Sequence, residues 1–307
     1  MDSAKRALFE RLIDDASLFP PAALPMRRAL RAHARHSESA YGWIGGRFVA
    51  PASQLDALAR DRDPAQRLEL SVILDAAASG AKGDAVLADL ERIGRAQLDG
   101  ATVASLELKL PGSGLDEERL RRAIAQISER WPSDPIALWV EPPYHGGWPS
   151  PAERSLATIA ALRAEAPHLT VGAKLRCGGL QPEAVPALDD LAAFLIAARQ
   201  LDVPWKATAG LHHPVRGEHD GRMMHGFLNL VVAAIALHAG ALEPARLGAV
   251  LAEEDPLAFV VDPAHLGWRE VRVEAEGVAS GRRWCVSYGS CSFDEPVNDL
   301  RELGILT

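Results

Sequence analysis

The chain has 307 residues, 48% hydrophobic and 24% charged, an ordinary globular composition with enough length for one large core or two small ones. A formal charge of -8 and a pI near 5.7, with lysines and arginines never adjacent beyond pairs, leave no electrostatic footprint for nucleic acid or an anionic membrane. A small molecule is the expected partner.

The opening "MDSAKRALFERLIDD" carries acids where a signal peptide needs an apolar core, and nowhere do about 18 apolar residues follow one another. The chain therefore reads as cytoplasmic. Cys177, Cys285 and Cys291 are odd in number and spaced like no zinc or redox motif, so they read as buried small apolar side chains.

Eight short apolar or β-branched runs, each closed by a turn signal, punctuate the sequence. They are "LIDDASLF" from Leu12, "YGWIGGRFVA" from Tyr41, "LELSVILDA" from Leu68, "ATVASLELKL" from Ala101, "PIALWVEP" from Pro135, "LTVGAKLRC" from Leu169, "VPWKATAG" from Val203 and "RWCVSYGS" from Arg283. The first seven begin roughly 30 residues apart, the length of one strand and one crossover helix. Amphipathic segments such as "DAVLADLERIGRAQL" and "LDEERLRRAIAQISERW" fill the gaps. This alternation predicts an α/β fold, a (β/α)8 TIM barrel; no glycine-rich dinucleotide fingerprint follows the first run, which weighs against an open doubly wound sheet. No Pro-rich or Ser-rich linker divides the chain, so residues 1-307 read as a single domain. Residues 215-282 read as a helical insertion between strands seven and eight, placed to cover the barrel mouth as a lid. It should hold a helix in "HGFLNLVVAAIALHAG", a second near "PARLGAVLAEE", a hairpin around "FVVDPAHLGW" and a third helix before Arg283.

In such a barrel the C-terminal strand ends carry the chemistry, and residues two apart share a face. By that rule Glu107 and Lys109 end the fourth run on one face while Leu106, Leu108 and Leu110 face the helices. Glu141 ends the fifth, Lys174 and Arg176 the sixth, and Lys206 with Thr208 lies in the seventh. Asp75 ends the third, and Asp14 or Asp15 sits on the first. A structural ion-pair network would also place charges here, but an apolar layer would stabilise as well.

The glycines of "CGG" at 177-179 and "AG" at 209-210 would let backbone approach a ligand. After the last strand, Ser292 and Glu295 fit a capping box, while Gly289, Ser290 and Ser292 at a helix N-terminus offer an anion site. "GLHHPVRGEHDGRMMHG" clusters His212, His213, His219 and His225 with Arg216, Asp220 and Arg222 just past strand seven, and His238 reads as a core residue. His212 or His213 is a candidate general acid or base, and their spacing matches no closed zinc pattern.

Two lysines on strands six and seven, each leading into small residues and glycine in "KLRCGG" and "KATAG", resemble class I aldolases of the deoxyribose-phosphate aldolase type. The resemblance implies an imine on Lys174, with Lys206 lowering its pKa. It covers these strands only: the family's glycine signatures are not matched residue for residue, and Arg176 and two glutamates add charge. "GLHHP" and "GSCSFDEP" also resemble the closing motifs of a bacterial barrel family to which no activity attaches. An imine-forming lysine must react as the free amine, which moves its pKa from about 10.4 toward 7 at a cost of roughly 4 to 5 kcal/mol.

The expectation is thus a lyase or aldolase acting on a small anionic carbonyl substrate, with no cofactor. Lys174 is the nucleophile; Lys206, Arg176 and Lys109 lower its pKa or bind substrate anions; Glu107, Glu141, His212 and His213 move protons. A second reading is a divalent-metal isomerase or lyase using Glu107, Glu141 and His212 or His213 as ligands; a third is a non-catalytic barrel that binds a small ligand. Ala-rich helices could also pack against a second copy in a homo-oligomer.

Overall fold

A computed structural model describes residues 3-78, 84-109, 115-132, 135-142, 150-179, 181, 184-219 and 221-306. Eight parallel strands close a barrel. They are β1 (Ile13–Asp15), β2 (Gly45–Pro51), β3 (Leu68–Ile73), β4 (Ala101–Lys109), β5 (Ala137–Glu141), β6 (Thr170–Arg176), β7 (Trp205–Thr208) and, after the insertion, β13 (Cys285–Ser290), which pairs with β7 and β1. Each expected run overlaps its strand, with β2 extending one residue past its run to Pro51. The fold is the (β/α)8 barrel that the alternation predicts.

The helices α1 (Ala4–Phe9), α2 (Met26–Glu38), α3 (Leu55–Asp61), α4 (Asp75–Ala78), α5 (Ala85–Arg95), α6 (Glu117–Arg130), α7 (Ser150–Glu165) and α8 (Leu188–Gln200) precede or link the first seven strands. Asp116 caps α6 by accepting from Arg119 N at 3.0 Å, as a helix N-terminus with four orphan amides requires. Outward strand residues such as Leu106, Leu108, Val171 and Ala173 are buried under these helices. The inward residues are unlike them. On β4, β5, β6 and β7 the strands present Glu107, Trp139, Lys174 and Lys206 to the interior, all buried. Gly172 stands opposite Trp139, where a Cβ would collide with the indole ring. Glycine there makes room for the largest inward side chain.

Two expectations, on Asp75 and His238, need correction, and the glycines show a contact of their own. Asp75 does not end β3; it opens α4, and its Oδ1 accepts from Ser53 N at 3.0 Å. The glycines after the two lysines serve each other: a Cβ on Gly178 would lie 2.8 Å from the Cα of Gly210, whose φ is +72°. The loops after β6 and β7 touch backbone to backbone there. His238 is only partly buried, lying against Trp284. Leu110 and Asp220 fall outside the described residues.

Within 215-282 the structure contains a hairpin, β8 (Gly217–His219) and β9 (Arg222–Met224), then α9 (Phe227–His238), α10 (Leu247–Ala252), a three-stranded antiparallel sheet, β10 (Phe259–Val261), β11 (His265–Trp268) and β12 (Val271–Glu274), and α11 (Ala275–Arg282). α9 is apolar on every side because every side is covered: α8, α10, α11, β11, β12 and β13 all pack on it. The sheet and α11 also pack on α1, which precedes β1, so residues 227-282 form an outer layer against the wall and not a cover over the mouth. The segment before α9, with the β8–β9 hairpin, directly follows β7.

One buried side chain ties this layer together. Asn229 Nδ2 donates to the carbonyls of Val250 at 2.9 Å and Glu253 at 2.8 Å at the end of α10, and its Oδ1 accepts from Arg216 N at 2.9 Å. Replacing Asn229 by Leu keeps the volume and strands these groups, which should cost about 3 kcal/mol. Denaturant unfolding of N229L should show that loss.

Candidate active site

Lys206 of β7 lies deep in the barrel, 1% exposed. Its Nζ donates to Asp14 Oδ2 on β1 at 2.6 Å and to Glu107 Oε1 on β4 at 2.7 Å. The other oxygen of Glu107 holds Lys174 Nζ of β6 at 2.7 Å, so one carboxylate joins both lysines. Lys174 also lies 3.2 Å from Glu141 Oε2 on β5. Glu141 in turn takes Arg176 Nε at 2.9 Å and Lys109 Nζ at 3.1 Å. Charges of alternating sign thus run from Asp14 in the interior to Arg176 and Lys109, whose side chains are 31% and 47% exposed.

Period-two alternation on adjacent parallel strands makes this possible. Lys174 stands beside Lys206 and Lys109 beside Glu141 in the register. Serine hydroxyls complete the anchoring: Ser71 donates to Glu107 Oε1 at 2.7 Å, Ser105 to Ser71 at 2.8 Å, and Ser287 to Asp14 Oδ2 at 2.8 Å. The backbone N–H of Arg47 donates to Asp14 Oδ1 at 2.8 Å. A buried carboxylate persists as an anion only with such partners.

The electrostatics follow from the contacts. Burial alone would raise the Glu107 carboxyl, but Lys174 and Lys206 outweigh it and hold the pKa far below the usual carboxylate range. Burial likewise opposes ionisation of Glu141, and Lys174 with Arg176 overcomes it, bringing the pKa down to about 2. Burial would lower Lys206; Asp14 and Glu107 reverse this and raise it. Lys206 is therefore a fixed ammonium. Four cations, Lys109, Lys174, Arg176 and Lys206, meet three carboxylates in this network, leaving one positive charge unbalanced.

Glu107, Glu141, Lys174, Lys206, Arg176 and Lys109 therefore come together. His212 and His213 join a different group. His212 Nδ1 lies 3.1 Å from Glu295 Oε2 and His213 Nδ1 2.7 Å from Asp299 Oδ2, both on α12 (Asp294–Glu302), and the His213 ring stacks on His219 with centroids 3.5 Å apart. These partners keep both rings off Glu107 and Glu141, whose oxygens are taken by lysine, arginine and serine. No group of three His, Cys, Asp or Glu side chains able to hold a metal ion forms among the described residues. The metal reading loses the ligand set it needs.

Near α12 half of the capping box forms: Ser292 Oγ accepts from Glu295 N at 3.1 Å, while the Glu295 carboxylate turns to His212, and Ser290 Oγ donates to the Ser292 carbonyl at 2.7 Å. Asp294 and Glu295 place negative charge in the first turn of α12. All three cysteines are buried free thiols, and burial pushes Cys285 up to about 12. Sequence reasoning missed Ser71, Ser105 and Ser287. Their signal is a small polar residue at an inward position of an otherwise apolar strand.

No family model matches the chain, and no curated protein matches it. Among solved structures, a protein described as an aldolase aligns with 67% of this chain and 83% of its own, at 15% identity and a TM-score of 0.44. The fold stands on the strand topology itself. No described helix is long and apolar enough to cross a membrane.

Removing Lys206 leaves Asp14 and Glu107 buried without their shared cation, so K206M should destabilise the protein by about 3 to 5 kcal/mol in equilibrium unfolding. The paired carboxylates set a pH dependence. Glu141 falls from its ordinary 4.5 to about 2 on folding, so its contribution is complete above 4.5 and disappears as pH drops toward 2. Lys206 acts with the opposite sign: its contribution is complete below its ordinary 10.5 and fades as pH rises beyond it. Unfolding free energy should therefore hold level near neutrality and decline below about pH 4.5, more shallowly in E141Q.

Proposed function

We propose that this barrel is a lyase of the aldolase type, acting on a small anionic carbonyl compound through an imine on Lys174. The observation that carries the reading is the sharing of Glu107 between two lysines, of which Lys206 is fixed as a cation by Asp14. Lys174 stands between that buried pair and the exposed Arg176 and Lys109, the side from which a ligand arrives.

The chemistry follows these positions. Lys174 first gives up a proton to solvent at the open side of the site, because Glu107 and Glu141 are held ionised by their cations. Its Nζ lone pair then attacks the carbonyl carbon, a C–N bond forms, and the C=O π pair moves to oxygen. Protonation of that oxygen and loss of water leave a positively charged iminium. When the bond between the α and β carbons breaks, its electron pair moves toward the iminium nitrogen and gives an enamine. The β-hydroxyl loses its proton to a nearby base as it becomes the product carbonyl. That base, or water, returns a proton to the α carbon and turns the enamine back into an iminium, which water hydrolyses to the second product and free Lys174.

The substrate's charge is set by the surplus cation. Arg176 and Lys109 both lean on Glu141 and keep donors free, so a carboxylate or phosphate would bring the network to neutrality. Proton transfer falls to Glu107 and Glu141, with His212 and His213 acting only if a loop movement brings them over Lys174. The pH-7 site needs no metal for any of these steps.

Intact protein treated with borohydride and a panel of aldehydes and keto acids should gain the mass of one reduced adduct. K174M should gain none, while K206M, which keeps the nucleophile and loses its fixed neighbour, should trap less than the wild type. An adduct that persists in K174M would place the imine elsewhere. No adduct with any carbonyl, together with saturable binding of anions, would favour the ligand-binding barrel.

A further inference from the structure

A second charged site lies outside the barrel wall, between α2 and the end of α3. Arg27, Arg31 and Arg35 are spaced by four and so share one face of α2. That face lines a cleft of about 810 Å³, with Arg60, Asp61 and Arg62 on the other side. None of these residues belongs to the interior network.

Like charges four apart on a helix repel one another and lower its stability, and this stripe faces more arginine where compensating acid would be expected. Among the described residues Asp61 is the one carboxylate paired with these five guanidinium groups: its Oδ1 takes Arg27 at 3.2 Å and Arg60 at 3.4 Å. Glu38 and Asp63 also line the cleft, both exposed, and Asp63 Oδ1 is used by the backbone N–H of Ala65 at 2.9 Å. Arg31 and Arg35 form no ion pair with a described carboxylate. Arg62 is the one buried arginine of the five. It is 8% exposed, and its buried Nη1 has no hydrogen-bond partner. That nitrogen lies against Gly100, and the arginine's place in the lining adds its charge to the cleft.

We propose that this cleft binds a small polyanion carrying two or more phosphate groups. Arg31, Arg35 and Arg62 supply forked donors suited to phosphate oxygens. A single monovalent anion would leave much of this charge unmatched. In a chain of formal charge -8, five arginines against three acids make a local positive patch, and its field draws such a ligand from solution.

The probe is inorganic tripolyphosphate, titrated calorimetrically into the full chain at about 150 mM salt, where surface charges more than about 8 Å apart are largely screened. One saturable site is expected, weakened roughly tenfold or more in R31E and in R35E. R28E, which makes the same charge change on an exposed residue of α2 outside the cleft, should bind like the wild type. Should either glutamate variant fail to fold, R31Q and R35Q read the same contacts with a smaller electrostatic change. Absence of saturable binding overturns the proposal, as does equal weakening in R28E, which would reduce the effect to net charge.

Discussion

The Glu107 carboxylate is the point on which the interior depends. Each of its oxygens holds a different lysine, and each lysine reaches a second carboxylate in a different direction. Moving charge into a barrel costs several kcal/mol per ion unless partners replace the lost water. Here the replacement is complete enough that Glu107 is held ionised and Lys206 protonated. The arrangement joins β1, β4, β5, β6 and β7 through side chains, in addition to the ladder hydrogen bonds.

That network divides the two lysines by depth and not by type. Lys206 is anchored to Asp14 at the level where Ser71, Ser105 and Ser287 add their hydroxyls. Lys174 is held by glutamates alone, one of which is already shared with the exposed Arg176 and Lys109. A fixed cation beside a less constrained amine is the asymmetry that imine chemistry uses. In the imine mechanism proposed above, the field that stabilises the resting state would also select which amine reacts and which sign of substrate it receives.

Much of this was legible in the sequence because two simple periods were at work. Strand and helix alternated at about the βαβ repeat length, and within strands the two-residue period separated Leu106 and Leu108 from Glu107 and Lys109. These rules located the strands and six charged residues that do come together. They could not tell where an insertion packs, because α9 is equally apolar whether it meets a barrel wall, a lid or another chain; its neighbours decided that. Nor could they separate the histidines from the site. "GLHHP" follows β7 closely, yet His212 and His213 turn to Glu295 and Asp299, more than eighty positions later in the chain. Gly178 and Gly210 likewise meet across two loops, a contact that no local pattern reveals.

An imine has a signature apart from any trapped adduct, because forming and hydrolysing it replaces the carbonyl oxygen with one from water. The most direct measurement is therefore the mass of a keto acid recovered after incubation with the protein in water enriched in oxygen-18. The account predicts incorporation faster than in protein-free solution, lost in K174M. Turnover of that keto acid with no exchange above the protein-free rate would contradict it.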